Sequence, residues 1–182
     1  MNNEVETIKK QFKETMDGKG EWAPLYTKLM QTVYSQPVLF VALSRENYDP
    51  ASKTSIPLIS TKDFGGKPAI YVFSDIGLAE IWMKAYKHVS SDGTVGLIAA
   101  AHKEPYDFLS LFQIAWRLGA DRIMLDEGGD WVGIPLEDFF RANGMNPNTV
   151  KMVLSEEEME EVNKNNAQIK LRFTKMDALP LK

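Results

Sequence analysis

The chain has 182 residues, 44% of them hydrophobic and 25% charged, with a formal net charge of −4 and no cysteine. That composition suffices for one sizeable core and is too apolar for a disordered segment. It excludes disulfide scaffolds, thiolate metal sites and cysteine nucleophiles, and its scattered Lys and Arg disfavour nucleic acid and anionic membrane surfaces as partners.

In chain order, Val5, Ile8 and Phe12 recur at helical spacing in a polar stretch and predict a first amphipathic helix, ended by the glycines of residues 17–20. This N-terminus has no apolar run like that of a signal peptide, and no stretch approaches the roughly 18 apolar residues of a membrane span, so the expected compartment is the cytoplasm. Trp22, Leu25, Tyr26, Leu29 and Val33 form the apolar face of a second helix. After Pro37, the continuous run at residues 38–43 suits a strand covered on both faces. Residues 44–55 are a polar loop, residues 56–60 a short strand, and the two-glycine turn at residues 63–68 leads into a strand at 69–73, which together read as a hairpin.

Ser74 is suited to cap the next helix, with Asp75 in its first turn and Leu78, Ile81, Trp82 and Ala85 on its inner stripe. A small-residue strand follows at 94–101, then a helix opened by Pro105 that carries Phe108, Leu111, Phe112, Ala115 and Trp116 and stops at Gly119. Residues 122–125 form another strand, Gly128 and Gly129 turn the chain into residues 131–134, and Pro135 starts a short helix ending near Gly144. Strands alternating with helices between Ala69 and Leu125 predict βαβ crossovers with parallel strands, and the preceding meander predicts antiparallel pairs. The expected fold is α/β (α+β): a mixed sheet with helices packed on it. Beyond residue 145 the composition shifts. Val150, Met152 and Leu154 alternate, Ser155 and Glu158 make a capping box for an acidic helix, and Ile169, Leu171 and Phe173 alternate again. The expected organisation is an N-terminal helix (residues 1–21), an α/β domain (22–144) and a strand–helix–strand extension (145–182) docked on that domain.

Two segments carry a resemblance to a known family. The first is Ile56-Pro57-Leu58-Ile59 through Ala69-Ile70-Tyr71-Val72-Phe73-Ser74, followed by Leu78, Ile81 and Trp82. The second is Gly119-Ala120-Asp121-Arg122-Ile123-Met124-Leu125-Asp126, then Ile134-Pro135-Leu136. Together they resemble the SseB N-terminal domain family, over residues from about 22 to 144. The chain departs from that pattern at Asp126-Glu127, where many members have Asn-Pro. The resemblance implies a compact α/β domain, often bacterial, with no established catalytic activity, and so a non-enzymatic interaction or regulatory module. An unidentified protein partner is expected, self-association stays open, and no cofactor is expected.

The competing chemistry lies past the carboxyl ends of the strands, where α/β sheets gather ligand-binding residues. If the strands ending at Phe73, Ala101 and Leu125 are parallel, that edge collects Ser74, Asp75, His102, Lys103, Glu104, Asp126 and Glu127. An imidazole among carboxylates there would suit a divalent metal or acid–base work centred on Asp75, His102 and Asp126. Set against this, Ser74 and Asp75 also suit a helix start, and the acidic 126–130 run lacks the EF-hand ligand series and reads as a hairpin turn. His88 reads as an exposed cap at a helix end. With two His in the chain, all-histidine zinc is excluded, and HExxH, GxSxG and Walker spacings are absent. Trp82 and Trp116 belong to helical stripes and are expected in the core, whereas Trp131 beside a polar turn is expected to be partly exposed and available to a partner. The glutamates of residues 156–161 read as a solvated helix face or an acidic patch for a basic partner.

Overall fold

In the computed structural model, which describes residues 3–17, 20–51, 55–60, 66–103 and 108–150, the chain begins with α1 (Asn3–Asp17), α2 (Trp22–Tyr34), β1 (Val38–Ala42), β2 (Ile59–Ser60) and β3 (Ala69–Phe73). It continues with α3 (Ile76–Ala85), β4 (Ile98–His102), α4 (Phe108–Arg117), β5 (Arg122–Leu125), β6 (Val132–Pro135), α5 (Leu136–Ala142) and α6 (Pro147–Val150). The expected α/β architecture is present: one six-stranded mixed sheet with helices against it. The 145–182 extension lies outside the described residues beyond Val150. There Met145 packs on the main core, and Val150 ends a short helix rather than opening a strand.

The strand order is β4-β1-β3-β5-β6, with β2 joined to β3. Strand β1 pairs antiparallel with the Val72–Phe73 end of β3, and β2 pairs antiparallel with its Ala69–Ile70 end. The expected hairpin pairing of β2 with β3 is therefore found, although β2 shrinks to two residues. Pro57 cannot extend the ladder and makes only an isolated bridge to Leu43. The expected run of parallel βαβ units is corrected. Strand β4 points the same way as β3 and β5, but the apolar strand β1 is inserted between β4 and β3. Only β3 and β5 are parallel neighbours.

Every residue of β3 is buried, and its alternation feeds two cores. Ile70 and Val72 face a large core made with Val5, Ile8 and Phe12 of α1, Leu29 and Val33 of α2, and Phe112, Phe139 and Phe140 of α4 and α5. Tyr71 and Phe73 face a smaller core in which α3 supplies Ala79, Trp82 and Met83. One face of the sheet therefore carries most of the helices, and the other carries α3.

Local details depart from expectation for identifiable reasons. Asp75, not Ser74, caps α3: its backbone is extended and its carboxylate accepts the Gly77 N–H at 2.7 Å. The buried face of α3 runs through positions 79, 82 and 83, which rotates Ile81 and Ala85 into solvent. Trp22 is half exposed, with its ring edge-on to Phe12 and Tyr26. Trp116 is half-buried and stacked on Phe140 at 5.1 Å. As expected, Trp131 is partly exposed.

Candidate functional site

The β5–β6 hairpin turn divides its first two carboxylates between the faces of the sheet. Asp126 follows β5 directly, with its N–H donating to the Val72 carbonyl at 2.8 Å, and it sits beside Ser74 because β3 and β5 run parallel in register. Its φ is +59°, a left-handed conformation that Asp tolerates better than most residues, and Gly128 at φ +88° completes the reversal. The Asp126 carboxylate is fully buried. It accepts the Ser74 N–H at 2.7 Å, the Ser74 hydroxyl at 2.9 Å and the Lys9 ammonium at 2.6 Å. Lys9 is itself fully buried on α1 and also meets Glu6. One turn further along α1, Lys13 donates to Asp130 at 2.7 Å, which holds the Asp130 carboxyl below the usual carboxylate range. These bonds fasten α1 to the end of the sheet.

Glu127 points to the opposite face. Its carboxylate accepts the Trp82 indole N–H and, at 3.3 Å, the Tyr86 hydroxyl. Trp82 is the centre of a ring cluster, with Tyr71 and Phe73 at 5.4 Å, Tyr86 at 5.2 Å and His88 at 5.0 Å. His88 is buried, and its Nε2–H donates to the Leu43 carbonyl at 2.7 Å. Burial holds its pKa below the ordinary histidine value, with the Arg45 charge acting in the same direction. The expected exposed helix cap is thus a neutral packing residue, because β1 and the α3 exit enclose the ring.

Beside this cluster, where α3 leaves the sheet uncovered, lies a groove of about 720 Å³. Its floor and inner wall are Tyr71, Trp82, Tyr86, His88 and Glu127, and its outer wall is the segment after β1 together with residues 56–60. Arg45 on that wall reaches back to donate to the Lys87 carbonyl at 2.5 Å.

The sequence-predicted cluster does not converge. Ser74 and Asp126 meet, and Asp75 is engaged in capping α3. His102 is exposed at the end of β4, which β1 and β3 separate from β5. At roughly 4.8 Å per strand step, its Cα stands on the order of 14 Å from that of Asp126. Lys103 lies over the Tyr34 ring, 4.3 Å from its centroid, and Glu104 is outside the described residues. Among the described residues no His, Asp and Glu group is arranged to hold a metal ion. Trp131 is not among the groove-lining residues. The residues that sequence reasoning missed are Lys9, Arg45, Tyr71 and Tyr86. Lys9 had a signal, since it stands four positions after Val5 on the apolar stripe of α1. The others had none, because the fold brings them together from separate elements.

No helix of the described residues is long and apolar enough to cross a membrane. No protein-family model, curated protein or solved structure matches the chain.

Proposed function

We propose that the chain is a non-enzymatic binding module of the SseB-like kind, working in the cytoplasm, with its ligand seat in the groove beside α3. The observation that carries this reading is the unlike fate of the turn's two carboxylates. Asp126 is enclosed by Lys9 and Ser74 and serves the fold. Glu127 lines an open groove whose volume of about 720 Å³ lies within the range of small-ligand sites. An acid–base role would need a titratable group able to exchange a proton with a substrate. The ring N–H of His88 is given to a backbone carbonyl, and His102 lies outside the groove.

A thermal-shift screen of the whole chain against metals, nucleotides, amino acids and common metabolites tests this. A native-state ligand at ~100 times its dissociation constant adds about 2.7 kcal/mol, enough to raise the melting point by several degrees. The shift should be lost in Tyr86→Ala, which removes an exposed wall of the groove. A shift of equal size in that variant would move the seat elsewhere, and no shift with any compound class would remove the groove as a small-ligand seat.

A further inference from the structure

The groove joins an aromatic surface to a carboxylate. Tyr71 and Trp82 offer ring surface at its base, and Tyr86, 54% exposed, stands at its mouth. The Trp82 indole donates its N–H to Glu127, and that bond pushes electron density back into the ring whose face attracts a cation. The donors from Trp82 and Tyr86 are neutral, so they orient the Glu127 carboxylate without cancelling its charge. Charged groups on the lining are the carboxylates Glu46 and Glu127 against the single guanidinium of Arg45, which is drawn toward the Lys87 carbonyl. His88 adds no positive charge while its Nε2–H is held by Leu43 and burial disfavours the imidazolium.

From this juxtaposition we infer that the groove binds an organic cation, a guanidinium or alkylammonium group on an apolar stem, with the charged head between Glu127 and the Trp82 and Tyr86 rings. The stem lies along Leu58 and Ile59, which form the apolar part of the outer wall. A bare inorganic cation would leave most of the roughly 720 Å³ unfilled and would gain little from ring faces beyond what water offers it. An anion would meet the Glu127 carboxylate. This inference rests on the groove being the ligand seat, as proposed above.

The experiment follows the indole N–H resonances of the full chain by two-dimensional ¹⁵N NMR, with Trp82 assigned through Trp82→Phe among the four tryptophans. Four probes are titrated: N-acetylarginine methylamide, propylguanidinium, and the neutral N-acetylcitrulline and anionic N-acetylglutamate methylamides. The expected result is a saturable shift of the Trp82 resonance with the guanidinium probes, on the order of tenfold tighter than with citrulline, a difference of about 1.4 kcal/mol. Glu127→Gln, which keeps an oxygen acceptor for the indole, should abolish that preference. Binding of the arginine probe alone points to a peptide side chain as the source, and equal binding of propylguanidinium points to a free small cation. Equal or tighter binding of citrulline or glutamate overturns the cation assignment while leaving the groove as a seat. A Trp82 resonance that no probe moves overturns both.

Discussion

Lys9 and Asp126 form an ion pair with both side chains wholly out of solvent, and the two residues are 117 positions apart in sequence. Removing one partner of such a pair strands the other's charge, which costs about 3–5 kcal/mol, whereas removing both can recover much of the loss. Lys9→Met should therefore lower unfolding free energy in urea by about that amount, and Lys9→Met/Asp126→Asn by distinctly less. A single-mutant cost below ~1 kcal/mol would mean that the pair behaves like an exposed one. His88 gives a second test. Its folded-state pKa is depressed, so below about pH 6.5 the unfolded chain takes up a proton that the folded chain refuses. Stability should hold above that pH and fall as the pH drops toward about 5, a window above the range where ordinary carboxylates titrate. His88→Gln should flatten the melting-point profile there, and an unchanged slope would assign the acid sensitivity to another group. Both sites mark the limit of single-residue legibility. The charge of Lys9 on an apolar stripe was visible in the sequence, but its partner was not, because nothing local relates α1 to a turn after β5. His88 looked like an exposed cap because a sequence shows that a helix ends, not what then closes over it.

The helices were legible as elements because their apolar stripes are long and regular, as at Val5, Ile8 and Phe12, all buried in the structure. Short strands were read less well, since β2 and β4 are trimmed by Pro57 and by the loop that precedes Ile98. The exit of α3 carries a cost that the sequence hid. Lys87 takes φ +49°, a left-handed position at which helices usually place glycine. Since the left-handed conformation costs a non-glycine residue roughly 1–2 kcal/mol, Lys87→Gly should stabilise the chain by up to about 1 kcal/mol once the extra backbone entropy of glycine is offset. A fall in urea midpoint would show that the Lys87 side chain contributes more than its strained backbone takes away. At the other end of the chain, α1 behaves as part of the main core rather than as an appendage. Deleting residues 1–17 removes Val5, Ile8 and Phe12 and uncovers the Asp126 carboxylate at once. The truncated chain is expected to lose cooperative unfolding and bind a hydrophobic dye, and a sharp, native-like transition would contradict the packing assigned to α1.

At the scale of the molecule, the alternation of strands and helices correctly announced a mixed α/β sheet, and it misled on neighbours. The inference that β3, β4 and β5 lie side by side took chain order for spatial order, and a buried strand from outside that run, β1, sits between two of them. That insertion carries His102 away from Asp126 and dissolves the predicted strand-end cluster. It also makes β3 the axis of the fold, buried along its whole length and paired with β1, β2 and β5. Amides bonded within this centre should exchange with solvent only through global unfolding, whereas β2, two residues long and half-buried at the groove's rim, should open in smaller fluctuations. Native-state hydrogen exchange would then place the β3 and β5 amides on one slow isotherm and those of residues 56–60 well above it in rate. Saturating the groove with a cationic ligand should slow the second set more than the first, because the ligand lies on Leu58 and Ile59. Uniform slowing across both sets would mean that binding stabilises the whole molecule from a site other than this groove.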